Sequence, residues 1–301
     1  MANVIPLIRP EPRPQISVIM VSYHTGPALL EAVAAVIADP QIFEIVIVDN
    51  GNSYAAREKL SQLVQDHDRI RLVQSHGNIG FAKGCNYGAT VARGTHFLFL
   101  NPDAIIPPGA AMMLAECADA QDGLAIIGGR LSDIDGHEQR GSRRDDLTPL
   151  SALISFTPLH KLPGFKSLHL ETQPVPDAPT SVPVVSGACL MMDRISFEEV
   201  GGFNEDYFLH VEDIELCRRV RHMGGSVIFH PKATVMHYGS TSRARRQDVE
   251  FSKFKGFYRY FKSYSDKWWG KALTHIAMPF MFLAIMGRAW YLVLRKAFLG
   301  R

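Results

Sequence analysis

Four consecutive apolar residues, Phe97 to Leu100, run directly into Asn101-Pro102-Asp103, and three residues later the chain meets Pro107-Pro108-Gly109. A strand that is apolar at every position is covered on both faces, as in a parallel sheet between helices. Pro102 has no N–H to give a ladder, so pairing stops there and Asp103 stands beyond the strand end. In open α/β sheets the crevice beyond the carboxyl ends of the strands is where ligands bind. The same carboxylate would also suit a helix start ahead of Pro107 and Pro108. By itself the stretch therefore leaves Asp103 as either a ligand-facing acid or a capping residue.

The preceding hundred residues repeat one unit. Buried strands are expected at ISVIMVSY (16–23), EIVIVDN (44–50) and RIRLVQS (69–75), separated by an alanine-rich helix to about residue 38 and a helix over 54–66. The Gly-punctuated NIGFAKGCNYGAT (78–90) precedes the Asp103 strand. Strands alternating with helices of ten to fifteen residues give βαβ units, so the fold class is α/β with a mostly parallel sheet flanked by helices. A dinucleotide site would need GxGxxG after the first strand, where SYHTGPALL has one glycine; the GxxxxGK[ST] phosphate loop is absent as well. A nucleotide bound here must be held by other means.

Composition narrows the class further. At 301 residues and 47% hydrophobic, the chain can bury a large core and is far from a disordered composition. Cys85, Cys117, Cys189 and Cys217 are widely spaced with no CxxC pair, which indicates neither a zinc site nor a disulfide framework and fits a reducing compartment. Residues 1–15 carry prolines and arginines where a signal peptide would need an apolar core, and read as a disordered lead-in. Charge is unevenly placed: residues 242–301 hold 13 Lys/Arg against 3 Asp/Glu, and residues 1–240 hold 19 against 27. The tail therefore calls for an anionic partner that the body does not share.

From about 130 to 180 the periodicity degrades into a Pro-rich stretch, expected to be a partly ordered loop on the acceptor side. Order resumes at SVPVVSGACLMMDR, where Ser186, Gly187 and Ala188 would allow a ligand or another backbone to come close. A helix is expected from about Glu212 to Met223, with Glu212, Asp213 and Glu215 in its first turn and Arg218 and Arg219 after them. The helix dipole alone would favour that order of charge. Asp213 also follows Tyr207-Phe208, a setting that would keep a carboxylate partly dry, as a general base needs. His237, in the strand TVMHYG, is either a structural histidine or a metal ligand.

Taken in order, VSYHTG, IVIVDNGNS, NIGFAKGCNYGA, FLFLNPDAII, SGACLMMDR, GGFNEDYFLHVEDIELCRRVRHMG and HYGS resemble the family 2 glycosyltransferases of GT-A fold, in particular their rhamnosyltransferase-like bacterial branch. The likeness covers about residues 16–240 and implies a glycosyltransferase domain over that range. Its nucleotide-binding half would be about 16–105 and its acceptor half about 106–240. It implies a DxD-type element at Asn101-Pro102-Asp103, with Asn101 in place of the first acid and Asp103 as the surviving ligand of a divalent Mn2+ or Mg2+ ion. His237 would be the second protein ligand, and imidazole favours Mn2+. The resemblance places the base in the Glu212–Asp213 pair, first at Asp213 with Glu212 in reserve. It also implies that Asp49 recognises the nucleotide base, Tyr23 stacks on it, Asn78, Gly80 and Phe81 form the turn beside the nucleotide, and Lys83 contacts the diphosphate. The implied reaction is inverting transfer, best matched to dTDP-L-rhamnose as the nucleotide-sugar donor and a lipid-linked or cell-surface glycan as acceptor. UDP-hexose or UDP-galactofuranose donors, and a non-catalytic membrane scaffold with the same fold, are the alternatives.

The tail, 241–301, interleaves basic residues with Phe, Tyr and Trp and then becomes largely apolar over 272–298, broken by His275, Pro279 and Arg288. Nucleic-acid stacking would suit the first half. The apolar second half favours a membrane interface instead, which makes the tail a helical membrane-associating segment on the inner face of the cytoplasmic membrane. A spanning helix, or a helix packed in the core or in a homodimer, also fits this pattern.

Overall fold

The computed structural model describes residues 13–74, 76–156, 168–239, 241–242, 245–263, 272, 274–283, 285–287 and 290. The first half alternates as its periodicity requires: β1 (Ile16–Ser22), α1 (Pro27–Ile37), β2 (Ile42–Asp49), α2 (Tyr54–Asp66), β3 (Ile70–Val73), α3 (Phe81–Val91) and β4 (His96–Leu100). The second half is less regular. It contains β5 (Ala104–Ile105), α4 (Ala110–Asp119), β6 (Ala125–Ser132), β7 (Arg143–Arg144), α5 (Pro149–Phe156), β8 (Thr180–Ser181) and β9 (Val184–Val185). It ends with β10 (Cys189–Asp193), α6 (Arg194–Glu199), α7 (Glu212–His222), β11 (Ser226–His237) and α8 (Arg246–Ser263).

The main sheet runs β3-β2-β1-β4-β10-β6-β11-β5, with β8 pairing β11 off this path. β3, β2, β1 and β4 are mutually parallel, as are β6 and β11. β10 enters antiparallel between β4 and β6, and β5 and β8 lie antiparallel to β11. Because β4 and β6 both oppose β10, the carboxyl ends of β1, β4, β6 and β11 open on one edge of the sheet. A mixed α/β sheet flanked by helices, mostly parallel, is thus what the strand pattern foretold; the antiparallel insertion of β10 is what it did not show.

Period-two alternation splits the core into two layers. Val18, Met20, Leu98 and Leu100 face one way, against Leu29 and Val33 of α1 and Leu114 of α4. Ile19, Val21, Phe97 and Phe99 face the other way, towards α3, α6 and α7. That second layer is aromatic, with Phe99 edge-on to Phe203 at 4.9 Å between ring centroids and 5.0 Å from Phe197. The glycines of α3 serve this packing. A Cβ on Gly84 would lie 2.9 Å from a Val21 methyl, and one on Gly88 would lie 2.5 Å from a methyl of Ile19.

Much of the stretch expected to be a loop is fixed by one side chain. Arg143, buried, donates to Glu138 at 2.9 Å and to the carbonyls of Gln173 and Pro174, with its guanidinium 5.1 Å from the Phe229 ring centroid. Residues 157–167 of that stretch lie outside the described residues.

The packed core also runs past residue 240. Phe257, Tyr260 and Phe261 of α8 share a cluster with Ile214 and Leu216 of α7, and so do Met278, Met281 and Ile285 of the helical segment that follows. Arg218 donates to the Tyr260 hydroxyl at 3.2 Å. The first part of the basic aromatic tail is therefore docked on the domain through its aromatic residues. Among the described residues no helix is long and apolar enough to cross a membrane, and residues 291–298 of the apolar run lie outside them. All four cysteines are free.

Gly88→Ala tests the α3–β1 contact. Overpacking there is expected to destabilise the fold by about 1–3 kcal/mol, read as a lower urea midpoint; an unchanged midpoint would mean that the helix shifts freely off the sheet.

Candidate active site

Where β4 stops, Asn101 N–H donates to the Ala188 carbonyl at 2.9 Å and Ala104 N–H donates back to the Asn101 carbonyl at 3.0 Å. This turn sends β5 antiparallel along the end of β11, with Ala104 opposite His237. The pairing carries Asp103 and His237 together, with Oδ1 and Nε2 3.1 Å apart. Asn101 Nδ2 lies 3.2 Å from the same Nε2, and the Thr241 hydroxyl donates to Asp103 Oδ2 at 2.9 Å. Asp103 is only 5% exposed. Burial alone would raise its pKa, but the hydrogen bond and charge of His237 and the contact to Thr241 hold it below the ordinary carboxylate value. The capping alternative is excluded: the N-cap of α4 is Gly109, with no side-chain cap.

Gln139 sets the state of the imidazole. Its amide nitrogen donates to the His237 carbonyl, which turns the amide oxygen to His237 Nδ1 at 2.8 Å. Nδ1 therefore carries a proton, and Nε2 is the ring nitrogen that faces Asp103. An imidazole oriented through its other nitrogen, beside an ionised carboxylate oxygen, is a donor set suited to a divalent cation. A DxD-like Asp133-Ile134-Asp135 also occurs, in the turn after β6 beside His137. There, however, Asp133 Oδ1 already accepts the N–H groups of Asp135 and His137, at 3.0 and 2.9 Å.

Asp49 ends β2 and is buried. Its Oδ1 accepts from both the backbone and the side-chain N–H of Asn52, each at 2.8 Å, while Asn52 also donates to the Ser22 carbonyl and accepts from His24 N–H. Asp49 thus ties the ends of β1 and β2 together, and Oδ2 is the oxygen outside those contacts. Asn50 reaches the next turn: its amide nitrogen donates to Asn78 Oδ1 at 3.1 Å and to the Gly80 carbonyl at 3.2 Å, and its oxygen accepts from Ile79 N–H at 2.9 Å. Gly80 has φ +88°, and a Cβ there would meet the Phe208 carbonyl oxygen at 2.7 Å; Phe81 N–H donates to that same oxygen at 2.8 Å. Tyr23 is half-buried against His24 at the end of β1. Lys83 points elsewhere, 3.8 Å from Glu205 in an exposed pair. Arg219 is engaged with Glu215 at 2.8 Å, which accounts for the basic residue of α7 closest to its acids in sequence bar Arg218.

The helix carrying the acid pair starts from a strained approach. His210 and Val211 both have positive φ, 67° and 75°, a conformation that costs non-glycine residues on the order of 1–3 kcal/mol each. Gly256 of α8 braces it, for a Cβ there would lie 3.0 Å from Val211 and 3.1 Å from the His210 carbonyl oxygen. Asp213 accepts at Oδ2 from Arg144 and from Gly187 N–H at 3.0 Å, and at Oδ1 from Ile214 N–H at 2.8 Å. The small residue at 187 admits a protein carboxylate, since its Cβ position is 3.2 Å from Asp213 Cβ. Burial would push Asp213 up, but the Arg144 charge and these donors hold its pKa below the ordinary value. Glu212 is the opposite case. It is 6% exposed, its Oε2 has no hydrogen-bond partner among the described residues, and burial together with the Asp213 charge pushes it up to about 8. Burial takes neighbouring His210 down to about 3. At neutral pH the helix thus opens with a neutral histidine, a protonated glutamate and an ionised aspartate.

Asp213 and Asp103 belong to one edge of the sheet: Gly187 holds the first, and the adjoining Ala188 carbonyl holds the backbone of Asn101. Arg144, Gln139, Thr241, Asn50 and Asn52 all shape this edge and were not singled out by the sequence. Only their polarity hinted at them, in stretches without periodicity.

The sequence model of glycosyl transferase family 2 matches residues 17–201, and the chain belongs to that family. The match stops before Glu212, Asp213 and His237. An N-acetylglucosaminyl-diphospho-decaprenol L-rhamnosyltransferase of Mycobacterium tuberculosis is 25% identical over 84% of this chain and 85% of its own length. A low-salt glycan biosynthesis hexosyltransferase of Haloferax volcanii is 29% identical over 60% of this chain and 54% of its own. Among solved structures, the mannosyltransferase PcManGT from Pyrobaculum calidifontis in complex with GDP-Man and Mn2+ superposes over 96% of this chain and 81% of that one (TM-score 0.59, 16% identity). GalNAc-T7 with UDP, GalNAc and Mn2+ does so over 84% of this chain, which spans about half (52%) of that one (TM-score 0.60, 17% identity). These likenesses establish the GT-A fold.

The acid pair makes stability depend on pH in a defined sense. An unfolded Glu212 ionises near 4.5 and the folded one keeps its proton to about 8, so stability falls as pH rises between those values. Glu212→Gln should therefore gain on the wild type as pH goes from 5 to 8 in urea titrations; a gap independent of pH would contradict the assignment.

Proposed function

We propose that this family 2 chain is a metal-dependent inverting glycosyltransferase that moves a sugar from a nucleotide-sugar donor to a lipid-linked saccharide. The observation that carries this is the Asp103–His237 pair, with Nε2 and Oδ1 3.1 Å apart, on the same sheet edge as the Asp213 carboxylate. Asp103 and His237 would hold Mn2+ or Mg2+; when bound, a divalent cation would neutralise charge building on the leaving diphosphate. Asn101 has a structural part instead, because its backbone fixes the turn that carries Asp103. Asp49, Tyr23, Asn78, Gly80 and Phe81 line the nucleotide side, with Lys83 able to leave its exposed partner for phosphate.

Asp213 is the base of this proposal because it is ionised at neutral pH, whereas Glu212 holds a proton that it would first have to lose. Arg144 and the Gly187 N–H aim the Asp213 carboxylate, and displacement of Arg144 by the acceptor would raise its basicity. Glu212, buried beside it, limits negative charge at the helix start to one. The sugar is L-rhamnose on the strength of the mycobacterial relative, whose name also carries a diphospho-decaprenol acceptor, and the family resemblance supplies dTDP as its carrier. The Haloferax relative, named a hexosyltransferase, keeps another hexose in play, with UDP-hexose as the alternative donor. Exposed Ile276, Phe280 and Leu283, with exposed Lys255 and Lys262, support peripheral docking on the inner face of the cytoplasmic membrane.

Thermal shifts with dTDP, UDP and GDP, each with Mn2+, Mg2+ or chelator, test the donor site. The expected result is a Mn2+-favoured shift with dTDP that Asp103→Ala abolishes; equal shifts with Mn2+ and Mg2+ would remove the imidazole argument for manganese. Asp213→Asn should retain the dTDP shift and lose about 10²–10⁴ in turnover. Wild-type turnover should persist from pH 8 down to pH 6. Activity that instead rises through pH 8 and survives in Asp213→Asn would transfer the base to Glu212.

A further inference from the structure

Between α8 and the helical segment 274–283 lies a groove of about 530 Å³, lined by Phe254, Tyr258, Met278, Pro279, Phe282 and Leu283, with His275 at its rim. A groove of this size is within the range of small-ligand sites, yet nothing in the transfer chemistry uses it. Its lip is apolar too: Ile276, Phe280 and Leu283, 63%, 66% and 67% exposed, recur at i, i+4 and i+7. Along α8 the same side carries Phe251, Lys255, Tyr258 and Lys262 at i, i+4, i+7 and i+11, with the Lys255 ammonium 4.5 Å from the Phe251 ring centroid.

An apolar trough with a cationic rim matches an apolar chain that ends in an anionic head. It matches a second copy of this protein poorly, because Lys255 and Lys262 would meet their own like charges across such an interface. The groove also lies next to the chemistry. Gly256, between Phe254 and Tyr258 in sequence, touches Val211 and the His210 carbonyl just before Glu212 and Asp213, so groove and acids lie on two sides of one helix about 10–12 Å thick.

We infer that this groove binds the isoprenoid chain of a polyprenyl-diphosphate-linked acceptor, with Lys255 and Lys262 at its rim drawing the diphosphate towards the acids, a proposal that rests on the lipid-linked acceptor assigned above. The chain is held by the trough, and the saccharide end extends past α8 to the sheet edge. Specificity for a long acceptor then comes from a surface remote from the donor.

The test uses the full chain, labelled farnesyl diphosphate as probe, and saturating dTDP with Mn2+ to occupy the donor site. Farnesyl diphosphate should bind at least tenfold more tightly than inorganic diphosphate. Leu283→Glu, at an exposed lip position, should weaken it at least tenfold while the dTDP thermal shift stays as in the wild type. A photoreactive benzophenone prenyl diphosphate should label residues 275–283 in the wild type, which keeps the test open should the variant fold poorly. Equal binding of the two diphosphates, binding indifferent to Leu283→Glu, or labelling elsewhere would overturn the proposal. So would capture of phosphatidylglycerol vesicles through the same lip without any affinity for the prenyl probe, which would assign the groove to bulk lipid. A dTDP shift without prenyl binding removes the groove and leaves the transferase; prenyl binding without a nucleotide shift keeps the groove and removes the donor assignment.

Discussion

Two residues of β5, laid antiparallel along the end of β11, bring the Asp103–His237 corner together. Ala104 pairs with His237 and Ile105 with Met236, and without that register Asp103 and His237 would be 134 residues apart in sequence with no reason to meet. The register depends on Pro102, which ends β4, and on the Asn101 turn, whose N–H is spent on Ala188. Gln139 then fixes the proton on Nδ1 by holding both the ring and the carbonyl of the same histidine. A backbone ladder thus sets distance, and a side-chain amide sets protonation. Each alone would leave the pair an ordinary buried contact.

The opposite corner works by unequal burial of adjacent acids. Two neighbouring carboxylates cannot both ionise cheaply in a dry site, so the one with donors keeps the charge and the one without keeps the proton. Arg144, Gly187 and Ile214 all serve Asp213, whereas Glu212 Oε2 is without a hydrogen bond among the described residues. The left-handed His210 and Val211 put the start of α7 in this place, and α8 presses on them through Gly256. The basic aromatic tail therefore has a structural part in the site: removing it would expose Ile214 and Leu216 and release the brace on the acids.

Charge and apolarity in that tail are divided by face. The aromatic residues Phe257, Tyr260 and Phe261 are turned inwards, Tyr260 accepting from Arg218 of α7, and Arg259 pairs with Asp206. Lys255, Lys262 and the lip of the groove remain outward. Summed along the sequence, the tail is strongly basic; only part of that charge is available to a partner.

The sequence by itself determined the α/β class, the strand-end position of Asp103, the helix from Glu212 and the family, because hydrophobic period, proline and residue order are local properties. α2 appears at Tyr54–Asp66 as its periodicity predicted, and α7 ends one residue before its expected limit. Only the tertiary structure decided the antiparallel entry of β10, the meeting of Asp103 with His237 and the service of Gln139 and Arg144. Those contacts join residues far apart in sequence, where no period or spacing records them. It also separated Glu212 from Asp213, two acids alike in sequence, because burial and the supply of N–H donors are properties of the folded surroundings. The same cause divided the tail: a run of Lys, Arg and aromatic residues reads the same along the chain whether its rings face a membrane or a core, and packing against α7 turned Phe257, Tyr260 and Phe261 inwards.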